Sequence, residues 1–176
     1  STTDATGATV DHSFDVSVNV ALGSAGALAD VSVEEGADAD VDASAEFTGG
    51  TGDYVYTAAS ASDANATAAV DGSTVTVTGV SAYTVVAGEV TGDAAPVTIT
   101  VTATDEFGGT TTSTFDADVT PVLGNVDGSG GPSPAGASAV LDHFLGLSTL
   151  TAKQQTAADF NMDTAITPFD AALIFD

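Results

Sequence analysis

Short runs in which a β-branched or aromatic residue alternates with a small polar one recur between residues 29 and 121. The longest is Val97-Thr-Ile-Thr-Val-Thr-Ala-Thr104, and glycine-containing turns such as Asp71-Gly72 separate the runs. The other alternating positions are Val31, Val33, Val41, Tyr54, Tyr56, Val75, Val77, Phe115 and Val119. A period of two is typical of strands with one buried face, and Asp-Gly between two such runs indicates a hairpin. Six or seven short strands at this spacing predict an antiparallel β-sandwich.

The charge of the chain is extreme and one-sided. Among its 176 residues, 25 are Asp or Glu and a single one, Lys153, is Lys or Arg, so the formal net charge is −24. Nucleic acid is a poor partner because phosphate binding needs clustered Lys and Arg. An anionic membrane surface is excluded for the same reason, and no apolar run is long enough to insert into a bilayer.

The acidic excess coexists with enough apolar residues for a core. Hydrophobic residues make up 43% of the chain, which favours a folded domain with a carboxylate-covered surface over a disordered tail. Such a surface repels itself at low ionic strength, whereas molar salt shortens the screening length to about 3 Å. The composition therefore predicts an extreme halophile as the source. The chain has no Cys, begins at Ser1 and shows no apolar signal region, so a processed mature chain or a fragment is expected.

Residues 29–121 resemble the cadherin-like or immunoglobulin-like repeats of surface proteins, of a haloarchaeal type. The resemblance is carried, in chain order, by Val31 through Gly36, Phe47, Tyr54 through Ser60, Ser73 through Val80 and Val97 through Gly109. The stretch 81–93 is longer than the usual connection in such repeats, and we expect it to form an extra strand or a contact loop. The resemblance also implies a group of calcium-binding carboxylates at one end of the sandwich. Its members would be Glu34, Glu35, Asp105 and Glu106.

The N-terminus repeats the end of this segment. Residues 3–23 align without gaps on residues 104–124 at a constant offset of 101 positions. The identities are Thr3, Asp4, Gly7, Thr9, Phe14, Asp15, Val18, Leu22 and Gly23. Residues 3–23 are thus predicted to be a second copy of a final sandwich strand, without the sandwich that should precede it. Either the chain retains the end of an upstream repeat, or the strand is donated to a sheet edge on a neighbouring molecule, which would build a filament if repeated in one direction.

Oxygen-bearing residues are spaced as in a calcium loop between residues 159 and 170. Calcium takes roughly six to eight hard oxygens, supplied from loop positions 1, 3, 5, 7 and 12. The residues at these positions are Asp159, Asn161, Asp163, Ala165 through its carbonyl, and Asp170. Thr164 stands where position 6 usually carries glycine. Asp170 also fits a helix cap behind Thr167 and Pro168, and the two roles are compatible.

A less complete loop of the same kind lies between residues 125 and 136. Its oxygen-bearing residues are Asn125, Asp127, Ser129 and Gly131, the last through its carbonyl. Gly136 leaves position 12 without a carboxylate. This loop is expected to bind calcium weakly, to recruit water, or to hold its fold through its Gly and Pro turns. An amphipathic helix is predicted from Ser133 to about Leu147, and Thr151 through Gln154 form a capping box that predicts a short second helix.

Together, residues 124–176 resemble a divergent type I dockerin domain, with one half from Gly124 to Leu147 and the other from Ala157 to Ile174. Dockerins are small calcium-folded modules that bind cohesin domains and attach secreted proteins to scaffolds or surfaces. The resemblance therefore implies Ca²⁺ as the ion and a protein as the partner. In dockerins, loop positions 10 and 11 contribute to partner choice. Here they hold Pro134-Ala135 and Pro168-Phe169 instead of the usual Ser-Thr, so a partner other than a standard cohesin is expected.

No catalytic constellation emerges from the sequence. His12 and His143 have no Cys or matched His spacing, which argues against a transition-metal site. No nucleophile elbow, P-loop or dinucleotide fingerprint is found. Carboxylate pairs in so acidic a chain are solvated faces rather than evidence of a glycosidase. The absence of Trp and the presence of only three Tyr weigh against a sugar-stacking surface.

The sequence as a whole predicts a mainly β, non-catalytic, secreted or cell-surface assembly protein. Its expected organisation is an orphan strand and linker in residues 1–28, an immunoglobulin-like antiparallel sandwich in residues 29–121 and a small helical dockerin-like calcium-binding module in residues 122–176. The expected partner is a sister subunit, giving a polymer or filament, or a cohesin-like domain. The alternative is the non-catalytic C-terminal docking region of a larger secreted hydrolase.

Overall fold

The computed structural model describes residues 1–15, 18, 20–60 and 65–176. Within them, β-strands occupy the first two thirds of the chain and α-helices the last third. The strands are β1 (Thr2–Thr3), β2 (Thr9–Val10), β3 (Val20–Ser24), β4 (Val31–Glu34), β5 (Asp38–Asp42), β6 (Phe47–Gly50), β7 (Val55–Ser60), β8 (Ala66–Asp71), β9 (Thr74–Gly79), β10 (Tyr83–Val86), β11 (Glu89–Asp93), β12 (Val97–Thr104) and β13 (Thr110–Thr120). The helices are α1 (Pro134–Phe144), α2 (Ala152–Ala158) and α3 (Pro168–Phe175).

Two sheets face each other to form the sandwich. In one sheet the strand order is β4, β13, β12, β7, with β4 parallel to β13 and the other pairs antiparallel. In the other, β9 lies between β5 and β8, and the hairpin predicted at Asp71-Gly72 joins β8 to β9. This arrangement is that of an immunoglobulin-like sandwich. The predicted sandwich is therefore confirmed, except that its first strand pairs in parallel.

Alternate residues of the central strands fill the space between the sheets. Ile99 and Val101 of β12 and Val75 and Val77 of β9 have no exposed surface. The threonines between the inward residues of β12 stay half-exposed. Fully burying such a side chain stabilises the fold by about 1.5–3 kcal/mol. The alternation seen in the sequence therefore selects the face that turns inward.

The long connection at residues 81–93 forms the hairpin of β10 and β11. Tyr83 at its base is 1% exposed and belongs to the sandwich core. The side chains of Val85 and Val90 lie against Gly128, in the loop of residues 125–136 that leads into α1. A Cβ built on Gly128 would come within 2.9 Å of Val90 and 3.3 Å of Val85. The stretch thus supplies both extra strands and a contact surface.

The N-terminal residues form small pieces of sheet. β1 pairs with β2, and β3 pairs antiparallel with β6 of the same chain. Gly49 of β6 permits this close pairing, since a Cβ there would lie 2.3 Å from the Ala21 carbonyl oxygen. Residues 16, 17 and 19 of the repeated segment lie outside the described residues, and strand donation stays a prediction.

The helices begin where the sequence predicts. Ser133 caps α1, and capping boxes formed by Thr151 and Thr167 open α2 and α3. α1 ends at Phe144, before the predicted Leu147, because Gly146 adopts a left-handed φ of +72°. None of the described helices is long and apolar enough to cross a membrane.

Candidate calcium loops and helical groove

The second loop, residues 159–170, is closed by hydrogen bonds from its backbone amides to its own side-chain oxygens. Asp159 accepts from the amides of Asp163 and Thr164 at 3.0 and 2.9 Å. The Asn161 side chain accepts from the Asp163 amide at 3.0 Å, and Asp163 accepts from the Ala165 amide at 2.9 Å. Hydrogen bonds therefore link the side chains of Asp159, Asn161 and Asp163 and the Ala165 amide within one turn of chain.

Asp170 ties the end of this loop to its beginning. Its side chain is fully buried and accepts from the Asn161 amide at 3.3 Å and from the Thr167 amide and hydroxyl at 2.9 and 3.0 Å. Burial raises the pKa of this carboxyl, but the hydrogen bonds outweigh burial and hold the pKa below its ordinary value. Asp170 is thus held as a carboxylate. Its capping role is confirmed, and its role as a ligand stays a prediction.

Thr164 adopts a left-handed backbone at the position where calcium loops carry glycine. Its φ is +72°, a conformation that is rare for a β-branched residue. The backbone therefore follows the course that a position-6 glycine allows, although a threonine stands there. Holding an L-residue in this region costs about 1–2 kcal/mol.

The carboxylates of the second loop do not form a ready-made ion site. In the described part of the chain, no three His, Asp or Glu side chains are grouped closely enough to hold a metal ion. The donor set nevertheless suits calcium, since every candidate ligand is a hard oxygen. Asp159 and Asp163 accept hydrogen bonds from backbone amides instead of facing one common point. The expectation of calcium therefore depends on residue spacing, donor type and backbone course.

The first loop, residues 125–136, joins the helical region to the sandwich. Asn125 is fully buried, and its side-chain oxygen accepts from the Gly130 amide at 3.0 Å. Its side-chain amide donates to Glu35, and its carbonyl accepts from the Tyr83 hydroxyl at 2.7 Å. Burial, reinforced by the nearby Glu35, raises the pKa of Tyr83, so this hydroxyl stays a neutral donor.

The other oxygens of the first loop bond within the loop. Asp127 accepts from the Ser129 amide at 3.1 Å and from the Ser133 hydroxyl at 2.5 Å. Burial raises its pKa, but these bonds bring the pKa below the ordinary value. The Ser129 hydroxyl lies 3.4 Å from the Gly131 carbonyl. These bonds close the loop through its own side chains, and calcium binding there stays a prediction.

Glu35 stabilises, from the sandwich side, the contact between the sandwich and the first loop, which we call the joint. Its carboxylate accepts from the Ala82 amide at 2.8 Å, from the Val122 amide at 3.5 Å and from the Asn125 side chain. It therefore fastens the base of the β10–β11 hairpin, the linker and the first loop to the end of β4. Sequence reasoning did not find this role, because no local pattern marks a contact between residues so far apart in the chain.

The predicted gathering of carboxylates at one end of the sandwich is wrong. Glu34 pairs with Thr120 at the end of β13, whereas Asp105 and Glu106 lie in the turn before Thr110 at its start. The 11 residues of β13 separate the two pairs by roughly 35 Å at the usual strand rise. The four carboxylates therefore lie at opposite ends.

Lys153, the chain's single Lys or Arg, anchors α2 to the sandwich. Its ammonium donates to the Asp118 carboxylate and the Val119 carbonyl at 2.7 Å each, and to the Ala94 carbonyl at 3.1 Å. Its backbone amide lies 3.2 Å from the Asp93 carboxylate. The side chain is only 17% exposed, and these acceptors replace the water it loses. Lys153 is therefore a structural clamp.

An apolar groove of about 390 Å³ runs between α1 and α3. Its lining includes Pro134, Leu141, Pro168, Ala171 and Phe175. Two of these, Pro134 and Pro168, occupy the loop positions expected to influence partner choice. Phe175 is 70% exposed, so the groove opens onto solvent in the described chain.

No protein-family model matches the chain, and a search of curated proteins gave no match. Solved structures with a similar fold include several from titin. A chimeric titin Z1Z2 carrying a KLER peptide from decorin is 16% identical, covering 60% of this chain and 99% of that chain at a TM-score of 0.37. Titin M4 is 10% identical, covering 59% and 100% at a TM-score of 0.34. Titin Z1Z2 in complex with telethonin is 15% identical, covering 60% and 50% at 0.37. The immunoglobulin-like sandwich is identified here by its own strand pairing.

Proposed function

We propose that this chain is a non-catalytic extracellular assembly subunit whose helical module, residues 122–176, binds calcium and docks a protein partner. The observation that carries the proposal is the second loop. Its candidate ligands share one closed turn, its position 6 is left-handed, and Asp170 reaches back to Asn161 from the first turn of α3. This combination of spacing, backbone course and oxygen donors is typical of calcium loops.

Calcium would be held by Asp159, Asn161, Asp163, the Ala165 carbonyl and Asp170. When bound, the ion supplies a positive centre that links the loop to the start of α3. Because α3 forms one wall of the groove, the same residues would stabilise the docking face. An ion that binds only the folded state raises stability by mass action, by about 2.7 kcal/mol at a hundred times its Kd.

Calorimetry of the full chain in molar KCl, with calcium or with EDTA, tests the ion. We expect a higher unfolding temperature with calcium, and Asp159→Asn combined with Asp163→Asn should remove the difference. Asp142→Asn, on α1 and outside the loop, is the matched control and should keep it. Identical thermograms of the unmodified protein in calcium and EDTA would refute calcium-dependent stability.

The groove between α1 and α3 is the proposed docking face. Its exposed Leu141 and Phe175 offer apolar surface to a partner, and contacts of this kind persist in molar salt, where surface charges are screened. The proposed partner is a sister subunit, so that repeated contacts build a polymer. A cohesin-like domain would use the same face if the chain serves a larger hydrolase.

Light scattering of the calcium-loaded chain tests the docking face. Self-association should rise with concentration and fall in the Leu141→Ser, Phe175→Ser double variant. Phe107→Ser, which changes an exposed aromatic in a sandwich turn, is the control and should leave association unchanged. A monomer at every concentration would reject the sister-subunit partner and leave the cohesin-like partner as the one to test by direct titration.

A further inference from the structure

A turn at one end of the sandwich has a defined set of bonds around Asp105. The Asp105 carboxylate accepts from the amides of Phe107 and Gly109 at 3.0 and 2.7 Å, and its own amide donates to the Gly109 carbonyl. Gly108, with φ of +82°, donates to the Asp105 carbonyl. This turn joins β12 to β13 and starts the last strand of the sandwich.

The N-terminal hairpin repeats these four bonds. The Asp4 carboxylate accepts from the amides of Thr6 and Ala8 at 2.8 and 3.0 Å, and its amide donates to the Ala8 carbonyl. Gly7, with φ of +83°, donates to the Asp4 carbonyl. The offset is the same 101 residues that the sequence repeat shows, so the duplication extends from sequence to structure.

The strand pairs beside the two turns also correspond. Thr3 pairs with Thr9 as Thr104 pairs with Thr110. Likewise, Thr2 pairs with Val10 where the sandwich pairs Ala103 with Thr111. β1 and β2 are therefore equivalent to the end of β12 and the start of β13.

What differs between the copies is burial. Phe115 and Val119 of β13 are each 2% exposed, whereas their equivalents Phe14 and Val18 are each 83% exposed. Within the described residues, the copy thus carries the apolar residues of a last strand, and no strand lies beside Phe14 or Val18 to cover them. In the sandwich the neighbouring strands are β12 on one side and β4 on the other.

We propose that residues 1–18, the N-terminal arm, fill the last-strand slot of a second immunoglobulin-like sandwich that lacks its own last strand. The slot is the space between the equivalents of β12 and β4. This inference rests on the strand-donation hypothesis and sharpens it, because the arm enters between two strands instead of joining an outer sheet edge. Main-chain pairing on both sides and burial of Phe14 and Val18 would supply the affinity.

The chain's own slot is not the natural acceptor. β13 already occupies it, and the arm places His12 where β13 has Ser113, which is only 6% exposed. An imidazole there would overpack the present core. The partner is therefore a related sandwich whose slot is vacant and has more room at this position.

The slot of this chain, once weakened, serves as the test acceptor. The protein is the full chain with Phe115→Ala, which removes the main side chain of β13 from the slot. The probe is a fluorescent peptide of residues 1–23 carrying His12→Ser, and its control carries Phe14→Ala and Val18→Ala in addition. Binding is measured by anisotropy in molar KCl with EDTA, so that calcium has no influence.

We expect the His12→Ser peptide to bind the Phe115→Ala protein at least tenfold more tightly than its Ala control, and at least tenfold more tightly than it binds the unmodified chain. The native peptide should bind more weakly than the His12→Ser peptide. Equal affinity for the unmodified chain would instead indicate an outer edge and overturn the proposal. So would equal binding of both peptides, or no binding to a folded acceptor.

If circular dichroism shows that Phe115→Ala does not fold, Val119→Ala replaces it under the same criteria. The outcome is separable from that of the proposed function. Loss of calcium binding or of docking through the groove would leave peptide binding unchanged, and failure of peptide binding would leave both intact.

Discussion

Asp170 is a single residue that serves the loop and the helix at once. Its two carboxylate oxygens accept from Asn161, at loop position 3, and from Thr167, the helix cap. The pattern that marks it in the sequence is local, because Thr167 and Asp170 are one helical turn apart. Its contact with Asn161 closes the loop, and this contact makes its charge matter for stability.

Asp170→Asn should destabilise the protein in EDTA at pH 7 by about 2 kcal/mol, the scale of hydrogen bonds to a charged group. The folded-state pKa of Asp170 is lowered, so the carboxylate contributes stability above its unfolded pKa of about 3.9. That stability is lost as the pH falls through the folded-state pKa. Urea unfolding of both proteins from pH 7 down into this range should therefore show the difference shrinking; a constant difference would contradict this account.

Thr164→Gly should stabilise the folded chain in EDTA by about 1 kcal/mol, because glycine adopts the left-handed conformation without strain. Thr156→Gly, at an exposed site in α2, is the matched control and should destabilise by a few tenths of a kcal/mol, since threonine is itself a poor helix former. Both are measured by thermal unfolding. Equal losses at the two sites would show that Thr164 is not strained.

At the scale of elements, α2 connects the joint to the second loop. Its first turn carries the Lys153 clamp, and its C-terminal cap is Asp159, the first candidate ligand. Gln154 adds a buried bond to the Val126 carbonyl at 2.7 Å. This short helix therefore fixes the position of the second loop relative to the sandwich.

Lys153→Met should loosen this joint. It keeps the aliphatic stem but leaves the acceptors of the ammonium unpaired, at a cost of about 2 kcal/mol. All three tyrosines pack in or against the sandwich core, so tyrosine fluorescence reports mainly the sandwich, and circular dichroism at 222 nm reports mainly the helices. The two unfolding curves should separate in Lys153→Met but stay together in the exposed control Ala152→Met. Coincident and unshifted curves for Lys153→Met would refute the clamp.

At the scale of the whole molecule, most of the carboxylates lie on the surface around an apolar sandwich core, although Glu46, Asp105 and Asp170 are buried. The edge strand β5 shows the pattern, with exposed Asp38, Asp40 and Asp42 alternating with half-buried Ala39 and Val41. Repulsion among such carboxylates opposes the compact state at low ionic strength, and salt screens it. The clamp at Lys153 is shielded from solvent and should persist in high salt.

The unfolding midpoint should therefore rise between dilute and multimolar KCl. Replacing Asp38, Asp40 and Asp42 together by Asn should reduce the slope of this rise, since fewer charges then require screening. Thermal unfolding at several KCl concentrations measures both effects. Maximal stability in dilute buffer would contradict the halophilic reading of the composition.

Much of the fold could be predicted because its causes are local. Period-two alternation marks β9 and β12. Asp71-Gly72 marks the hairpin that joins β8 to β9, and the capping residues mark the starts of the helices. The parallel pairing of β4 with β13 could not be predicted, because it depends on how two distant strands meet. The wrong grouping of Glu34 with Asp105 has the same origin, since sequence shows turns but not which end of the sandwich they occupy.

By itself, the sequence determined the central strands, the helix caps and the candidate loop ligands, since each depends on residues close together in the chain. It also showed the duplicated N-terminal arm, since the two copies align without gaps. Only the tertiary structure decided how the parts join. It brought Glu35 to Asn125 across 90 residues and Lys153 to the end of β13, and it left Phe14 and Val18 exposed while burying their copies. The physical reason is that burial and hydrogen bonding depend on which distant surfaces meet, and no local pattern records that choice.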